Sequence, residues 1–193
     1  KLALIESQVE YLVESDVPSI HTLVSLPSGQ QIRVHFLHPA PPSPTEKESS
    51  AERDAEILVV ARSVAQASEP IIVTGDLNDV AWSETTRLFR KISGLLDPRI
   101  GRGMFNTFHA DYWFMRWPLD HLFHSRHFTL SRLGRSQHIG SDHFALFTEL
   151  VLASDPEFQE GGIETDENDI KWAKEKTGQQ SVSMNDVPDP GKK

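Results

Sequence analysis

Asp76 and Asn78 follow directly on the run Ile71-Ile72-Val73-Thr74-Gly75. Residues two apart at a strand end point to the same side, so a carboxylate and an amide face one cleft. That pairing suits phosphate chemistry, in which a carboxylate holds a metal or positions water and an amide donates to a phosphoryl oxygen. Three other segments repeat the arrangement of a charged or imidazole group beside an apolar stretch. They are His38 after Gln31 to Leu37, Asp120 in Leu-Asp-His-Leu-Phe, and Asp142 with His143 in Gly-Ser-Asp-His-Phe. Burying such groups without partners is costly, so their recurrence at strand ends predicts that they converge. Asp120 with His143 can form the carboxylate and imidazole pair that acid–base catalysis needs. Asp76 and Asp142 offer hard oxygen ligands for a divalent metal.

The elements around these residues are legible from periodicity and turn chemistry. Val9 to Val13 and Ile20 to Leu26 alternate as strands, and Pro27-Ser28-Gly29-Gln30 turns the chain into a third strand, Gln31 to Leu37. Pro39, Pro41, Pro42 and Pro44 interrupt regular structure before Ser49/Ser50, which can cap a helix running to about Ala67. Ile57, Leu58, Ala61, Val64 and Ala65 give that helix its apolar spacing. The strand Ile71 to Thr74 follows, then a helix Glu84 to Ile92 capped by Ser83 and ended at Ser93-Gly94. Residues 94 to 118 form a long loop, which inside a compact domain is usually functional. Strands are expected at Leu119 to His124, about Phe128 to Leu133, and His143 to Leu152. Two units result: a domain over residues 1–152, and an acidic polar tail over 153–193 with one short helix around Glu167 to Lys176.

Composition narrows the chemistry. With 193 residues, 38% of them hydrophobic, the chain can build one sizeable core. The absence of Cys excludes disulfides, thiolate metal sites and a Cys nucleophile, so any metal rests on oxygen or imidazole. No apolar run reaches the roughly 18 residues of a membrane span, and the chain is expected to be soluble. The net charge of −9 is unevenly spread: residues 1–86 carry 5 Lys/Arg against 13 Asp/Glu, whereas 87–135 carry 9 against 3. That basic middle is either a solvated face or a patch that attracts phosphate. His21 and His35 read as surface or half-buried strand positions. A zinc cluster of His121, His124 and His127 is disfavoured, because i and i+3 on a strand point to opposite faces. Asp79 reads as a loop cap, and His109 and His138 as rim residues.

On His38 in Leu-His-Pro-Ala-Pro, the Gly-Asp-Leu-Asn-Asp run, Leu-Asp-His and the closing Ser-Asp-His, the chain resembles the endonuclease/exonuclease/phosphatase superfamily, also called deoxyribonuclease I-like, over roughly Ile20 to Leu152. Bacterial members are among the proteins it is similar to. The resemblance implies an α+β fold that is part of a four-layer α/β/β/α sandwich, and a hydrolase of phosphate esters that depends on Mg2+ or Mn2+. It implies catalytic roles for His38, Asp76, Asn78, Asp120 and His143, and metal binding by Asp142 and Asp76. The loop carrying Asn106, Phe108 and Arg116 matches a region that meets substrate. Its aromatic residues stack on bases or pack beneath the loop; packing is the expectation for Trp113.

The substrates this implies are a phosphodiester, nucleic acid included, a phospholipid headgroup or a small phosphorylated metabolite, and the basic middle tilts the reading to nucleic acid. A non-catalytic binding module on the same scaffold is the reading from another class. The superfamily's N-terminal half, with its early Asn and metal-binding Glu, has no counterpart among the 37 residues before His38. The expectation is therefore a C-terminal portion of a longer enzyme, weak in metal binding alone and inclined to self-associate; the resemblance to bacterial proteins with membrane-spanning helices ahead of the domain implies a membrane-anchored parent.

Overall fold

A computed structural model of the chain describes residues 2–13, 16–41, 48–65, 67–153 and 162–191, with the side chains of 48–49 excluded. Three antiparallel pairings and one parallel pairing build a five-stranded sheet. Strands β1 (Ala3–Glu10), β2 (Ser19–Ser25) and β3 (Gln31–Phe36) form an antiparallel meander. Helix α1 (Glu48–Val64) then carries the chain over to β4 (Ile71–Asp76), which lies parallel to β3. Helix α2 (Glu84–Ser93) and the long loop precede β5 (Asp120–His124), antiparallel to β4. Strands β6 (Phe128–Arg135) and β7 (Leu146–Leu152) make a separate two-stranded sheet, and α3 (Glu167–Gln179) closes the chain with a 3-10 turn at Met184–Asp186. The fold is α+β, as the sequence predicts.

Several boundaries differ from the sequence reading for identifiable reasons. The first strand ends at Glu10, because Leu12 and Val13 leave the sheet and enter the core. Helix α1 begins at Glu48, which puts Ser50 inside its first turn, and it stops at Val64, leaving Ala65 exposed. The last strand starts at Leu146 and not His143, since the chain at His143 and Phe144 pairs with Phe108 and Thr107 of the long loop. The Ser83 cap of α2 is present, its hydroxyl accepting from the Thr86 N–H. Residues 42–47 of the Pro-rich connection and 154–161 of the polar segment lie outside the described residues.

One face of the five-stranded sheet carries the core. The register sets His21, His35, Val73 and Phe123 in one row, against Ile57, Val60 and Val64 of α1 and Phe89 of α2. The run Ile57-Leu58-Val59-Val60-Ala61 is buried on every side, which a helix can sustain only when covered on both faces. Helix α3 supplies the outer cover: Ala173 packs on Leu58 and Leu88, Lys176 pairs with Asp54 at 2.6 Å, and Arg62 donates to Thr177 at 2.7 Å. The expected short helix of the polar segment is thus present, running on to Gln179, and it completes the helix layer. On the opposite sheet face Val9, Ile20 and Phe36 stay exposed.

His21 and His35 are 0% and 1% exposed, in contrast to the expected surface positions, because the helix layer seals this face. Their Nδ1 atoms lie 2.6 Å apart, one donating and the other accepting, which requires the accepting ring to be neutral. Burial depresses His21 to about 4 and His35 to about 3. Glu56, 2% exposed, shows the reverse: desolvation raises its carboxyl to about 7. A folded-state pKa above the unfolded value means that the folded chain holds a proton which the unfolded chain has lost, so stability falls as pH rises from about 4.5 to 7. Glu56→Gln is expected to leave stability near wild type at pH 4 and to raise it by about 1–3 kcal/mol at pH 8. Urea unfolding at the two pH values measures the difference.

Candidate active site

The β4–β5 register places Asp76 directly opposite Asp120. Two carboxylates in neighbouring ladder positions repel, and His143 lies between their charges. Its Nδ1–H donates to Asp120 Oδ2 at 2.7 Å, which fixes the tautomer and leaves Nε2 as the free base. That Nε2 sits 3.7 Å from Asp76 Oδ2. Burial on its own lowers the His143 pKa, but the hydrogen bond to Asp120 and the charges of Asp120, Asp76 and Asp142 outweigh it, and the net shift is upward. Asp76 is raised by burial first and by Asp120 in addition, against the pull of the Asn78 N–H, His143 and His38.

Asn78 is held by a tight turn after the strand. Its N–H donates to Asp76 Oδ1 at 2.9 Å, its Nδ2 donates to Pro39 O at 3.0 Å, and its φ is +48°, a left-handed conformation that Asn tolerates. The hydrogen bond to Pro39 also ties this turn to the segment that carries His38. His38 is exposed, and its charge reaches Asp76. The close approach of the two segments depends on Gly75: its φ is +145°, and a Cβ there would overlap the Leu37 carbonyl oxygen.

Residues that the sequence reading did not select complete the support. Arg53 of α1 donates to Asn78 O at 2.8 Å, and Thr107 Oγ1 accepts from the Asp120 N–H at 3.2 Å. The Asp97–Arg99 pair is buried, and Arg99 donates to His121 Nδ1 at 2.7 Å; His121 Nε2–H then donates to Asp79 O at 2.9 Å. Asp79 accepts from Ser83 and Thr86 as an N-terminal anchor of α2, consistent with the expected loop cap. His121 is thereby committed to the loop that bears Asn78, and desolvation, with Arg99 nearby, holds its pKa at about 3. Thr107 belongs to the loop that the resemblance marks as meeting substrate, and here it supports Asp120; nothing in the sequence marks Arg53.

The sequence-selected residues divide into those that converge and those that do not. Asp76, Asp120 and His143 bring one ligand atom each to within 4.8 Å of the others, an arrangement that could hold a metal ion. Two carboxylates and an imidazole are a fitting donor set for a hard divalent cation. Asp142 is outside that group: its carboxylate is exposed, its backbone oxygen accepts from Ala110 N at 2.6 Å, and its charge still acts on His143. Phe108 lies against the His143 ring, with centroids 4.8 Å apart. Asn106 and Arg116 line a separate cleft of about 710 Å³ beside the site. Trp113, expected to pack under its loop, lines the same cleft at 82% exposure, because the loop turns its ring outward. His109 and His138 both face Asp111, at 3.6 and 3.1 Å.

The family model described as Endonuclease/Exonuclease/phosphatase family matches residues 1–143, which contain every residue of this constellation. The chain belongs to that family. Among solved structures, the human Nocturnin catalytic domain with bound sulfate superposes with a TM-score of 0.60 at 20% identity, covering 79% of this chain and 60% of that one. D. rerio TDP2 complexed with a single-strand DNA product gives 0.62 at 16% identity, covering 78% and 68%. A mannosyl-6-phosphatase of Bacteroides thetaiotaomicron gives 0.56 at 21% identity, covering 79% and 68%. At these identities the likeness is one of fold, and the chain spans 60% to 68% of the length of these three structures. No curated protein sequence matches the chain. Among the described residues no helix is long and apolar enough to cross a membrane.

The approach of the two strand ends generates the first test of this site. Gly75→Ala is expected to destabilise the chain by more than about 2 kcal/mol, from a strained φ and a backbone clash together. Urea unfolding reads it; an unchanged midpoint would contradict the packing of β4 on Leu37.

Proposed function

We propose that the chain is a metal-dependent phosphoesterase acting on phosphodiesters. The observation that carries this reading is the Asp120–His143–Asp76 line, in which one carboxylate orients an imidazole whose free nitrogen faces a second carboxylate. His143 Nε2 takes the proton of the attacking water, and Asp120 stabilises the imidazolium that forms. Asp76 positions that water for in-line attack on phosphorus. The Asn78 side chain, held by Pro39 O on a backbone that Arg53 anchors at Asn78 O, supports the charge that develops on the phosphoryl oxygens. His38, at the exposed rim, assists the leaving oxygen. Asp76 and Asp120 are the oxygen ligands best placed for Mg2+ or Mn2+, with Asp142 adding charge at the edge. Such an ion, when bound, supplies Lewis-acid stabilisation of the phosphoryl oxygens.

One structural neighbour is complexed with a single-strand DNA product and another is a mannosyl-6-phosphatase, and a phospholipid or small-metabolite phosphatase would use the same line of residues. The alternative class, a binding module without catalysis, keeps the fold and loses the chemistry. Hydrolysis of a generic aryl phosphodiester with Mg2+ or Mn2+ separates them. His143→Ala and Asp76→Ala are each expected to lower kcat/KM by about 10²–10⁴-fold, and Asn78→Ala by about 10²–10³-fold. Rates unchanged in His143→Ala would refute the mechanism. Metal-independent inertness of the wild-type chain, with phosphate-ester binding retained, would favour the binding module.

A further inference from the structure

His109, Asp111 and His138 take no part in the phosphoesterase chemistry above, yet they meet at one point. They come from two segments: His109 and Asp111 belong to the long loop, and His138 to the connection between β6 and β7. His109 Nδ1 lies 3.6 Å from Asp111 Oδ2, and His138 Nε2 lies 3.1 Å from Asp111 Oδ1. One carboxylate thus offers an oxygen to each imidazole.

Neither imidazole hydrogen-bonds to that carboxylate. His109 Nδ1 accepts from the Asp111 N–H at 3.3 Å, so this nitrogen carries a lone pair and not a proton. A lone pair facing a carboxylate oxygen is an unfavourable contact that a cation between them relieves. His138, among the described residues, makes no aligned hydrogen bond; besides Asp111 it has an edge contact with the Phe144 ring. The His109 ring is set by its neighbours, with its centroid 4.8 Å from that of Phe108 and 4.7 Å from that of Tyr112. The Ala110 N–H, which donates to Asp142 O at 2.6 Å, holds the two segments against each other here. The three ligand atoms are not gathered as closely as those of Asp76, Asp120 and His143. The adjustment that gathers them falls on the His138 side chain, which is 46% exposed and free to turn.

Two imidazoles and one carboxylate are a different donor set from two carboxylates and one imidazole. Imidazole nitrogen suits borderline ions such as Zn2+ and Co2+, whereas Mg2+ prefers oxygen and Mn2+ binds least tightly of the first-row divalent ions. Three protein ligands leave a fourth position for water.

We propose that His109, Asp111 and His138 form a second metal site, for a borderline divalent ion of the Zn2+ class, that clips the long loop to the connection between β6 and β7. None of its ligands acts in the phosphoesterase reading, which can fail without consequence for this site. Co2+ is the probe, because its visible absorption reports ligation by nitrogen and oxygen. The chain is titrated with Co2+ in excess Mg2+. One Co2+ equivalent is expected that survives Asp76→Asn and Asp120→Asn, which weaken the other donor set. His109→Ala, Asp111→Asn and His138→Ala are each expected to weaken that equivalent by about tenfold or more. Zn2+ is expected to raise the melting temperature of the Asp76→Asn chain and to leave that of Asp76→Asn with His138→Ala unchanged. Asp111 and His138 are about half exposed, so their variants separate binding from folding. No bound Co2+ in excess Mg2+, Co2+ binding unaltered by Asp111→Asn and His138→Ala, or a Co2+ equivalent lost in Asp76→Asn but kept in His138→Ala would each overturn the site. Equal melting shifts with and without His138→Ala would overturn the clip.

Discussion

The antiparallel register of β4 and β5 sets Asp76 against Asp120, and everything near the site follows from that pairing. Like charges at facing ladder positions are unfavourable, and partial burial makes them more so by raising Asp76. The arrangement persists because positive or proton-donating groups sit around it: His143 hydrogen-bonded to Asp120, the Asn78 N–H on Asp76, and His38 within electrostatic reach. A pair of carboxylates that cannot be comfortable alone is a place where a cation or a proton in transit is stabilised. The physical tension at this ladder position is thus the source of the proposed chemistry.

Holding the pair in register requires support from several directions. Helix α1 reaches the turn through Arg53, and the long loop reaches β5 through Thr107 and reaches His143 through Phe108. The buried Asp97–Arg99–His121 chain ends on Asp79 O and locks the same turn from below. Gly75 allows β4 to pass against Leu37 without a side chain in between. These supports come from segments far apart in the chain, so a change in any one of them is felt at Asn78.

Much of this was legible in the residues. The apolar run before Asp76 and Asn78, the cap at Ser83 and the loop role of Asp79 follow from local rules, and the structure has them. What local rules could not supply is tertiary. The burial of His21 and His35 depends on which sheet face the helices cover, and alternation alone does not say. The apolar spacing of α1 predicted one covered face; packing shows the stretch buried on every side and identifies α3 from the polar end of the chain as the second cover. Trp113 points outward because the loop's path, and not its composition, sets the ring's direction. Asp142 stands apart from the converging ligand atoms, its carboxylate exposed and its backbone oxygen accepting from Ala110 N, an interaction with no sequence signature.

Binding of Mn2+ measures the central claim most directly, since it reads the facing carboxylates without requiring turnover. Titration of the chain with Mn2+, followed by the electron paramagnetic resonance of the free ion, is predicted to show one ion bound per chain. Asp76→Asn and Asp120→Asn should each weaken that binding at least tenfold. Binding that is equally tight in both variants, or no binding by the wild-type chain, would contradict the account.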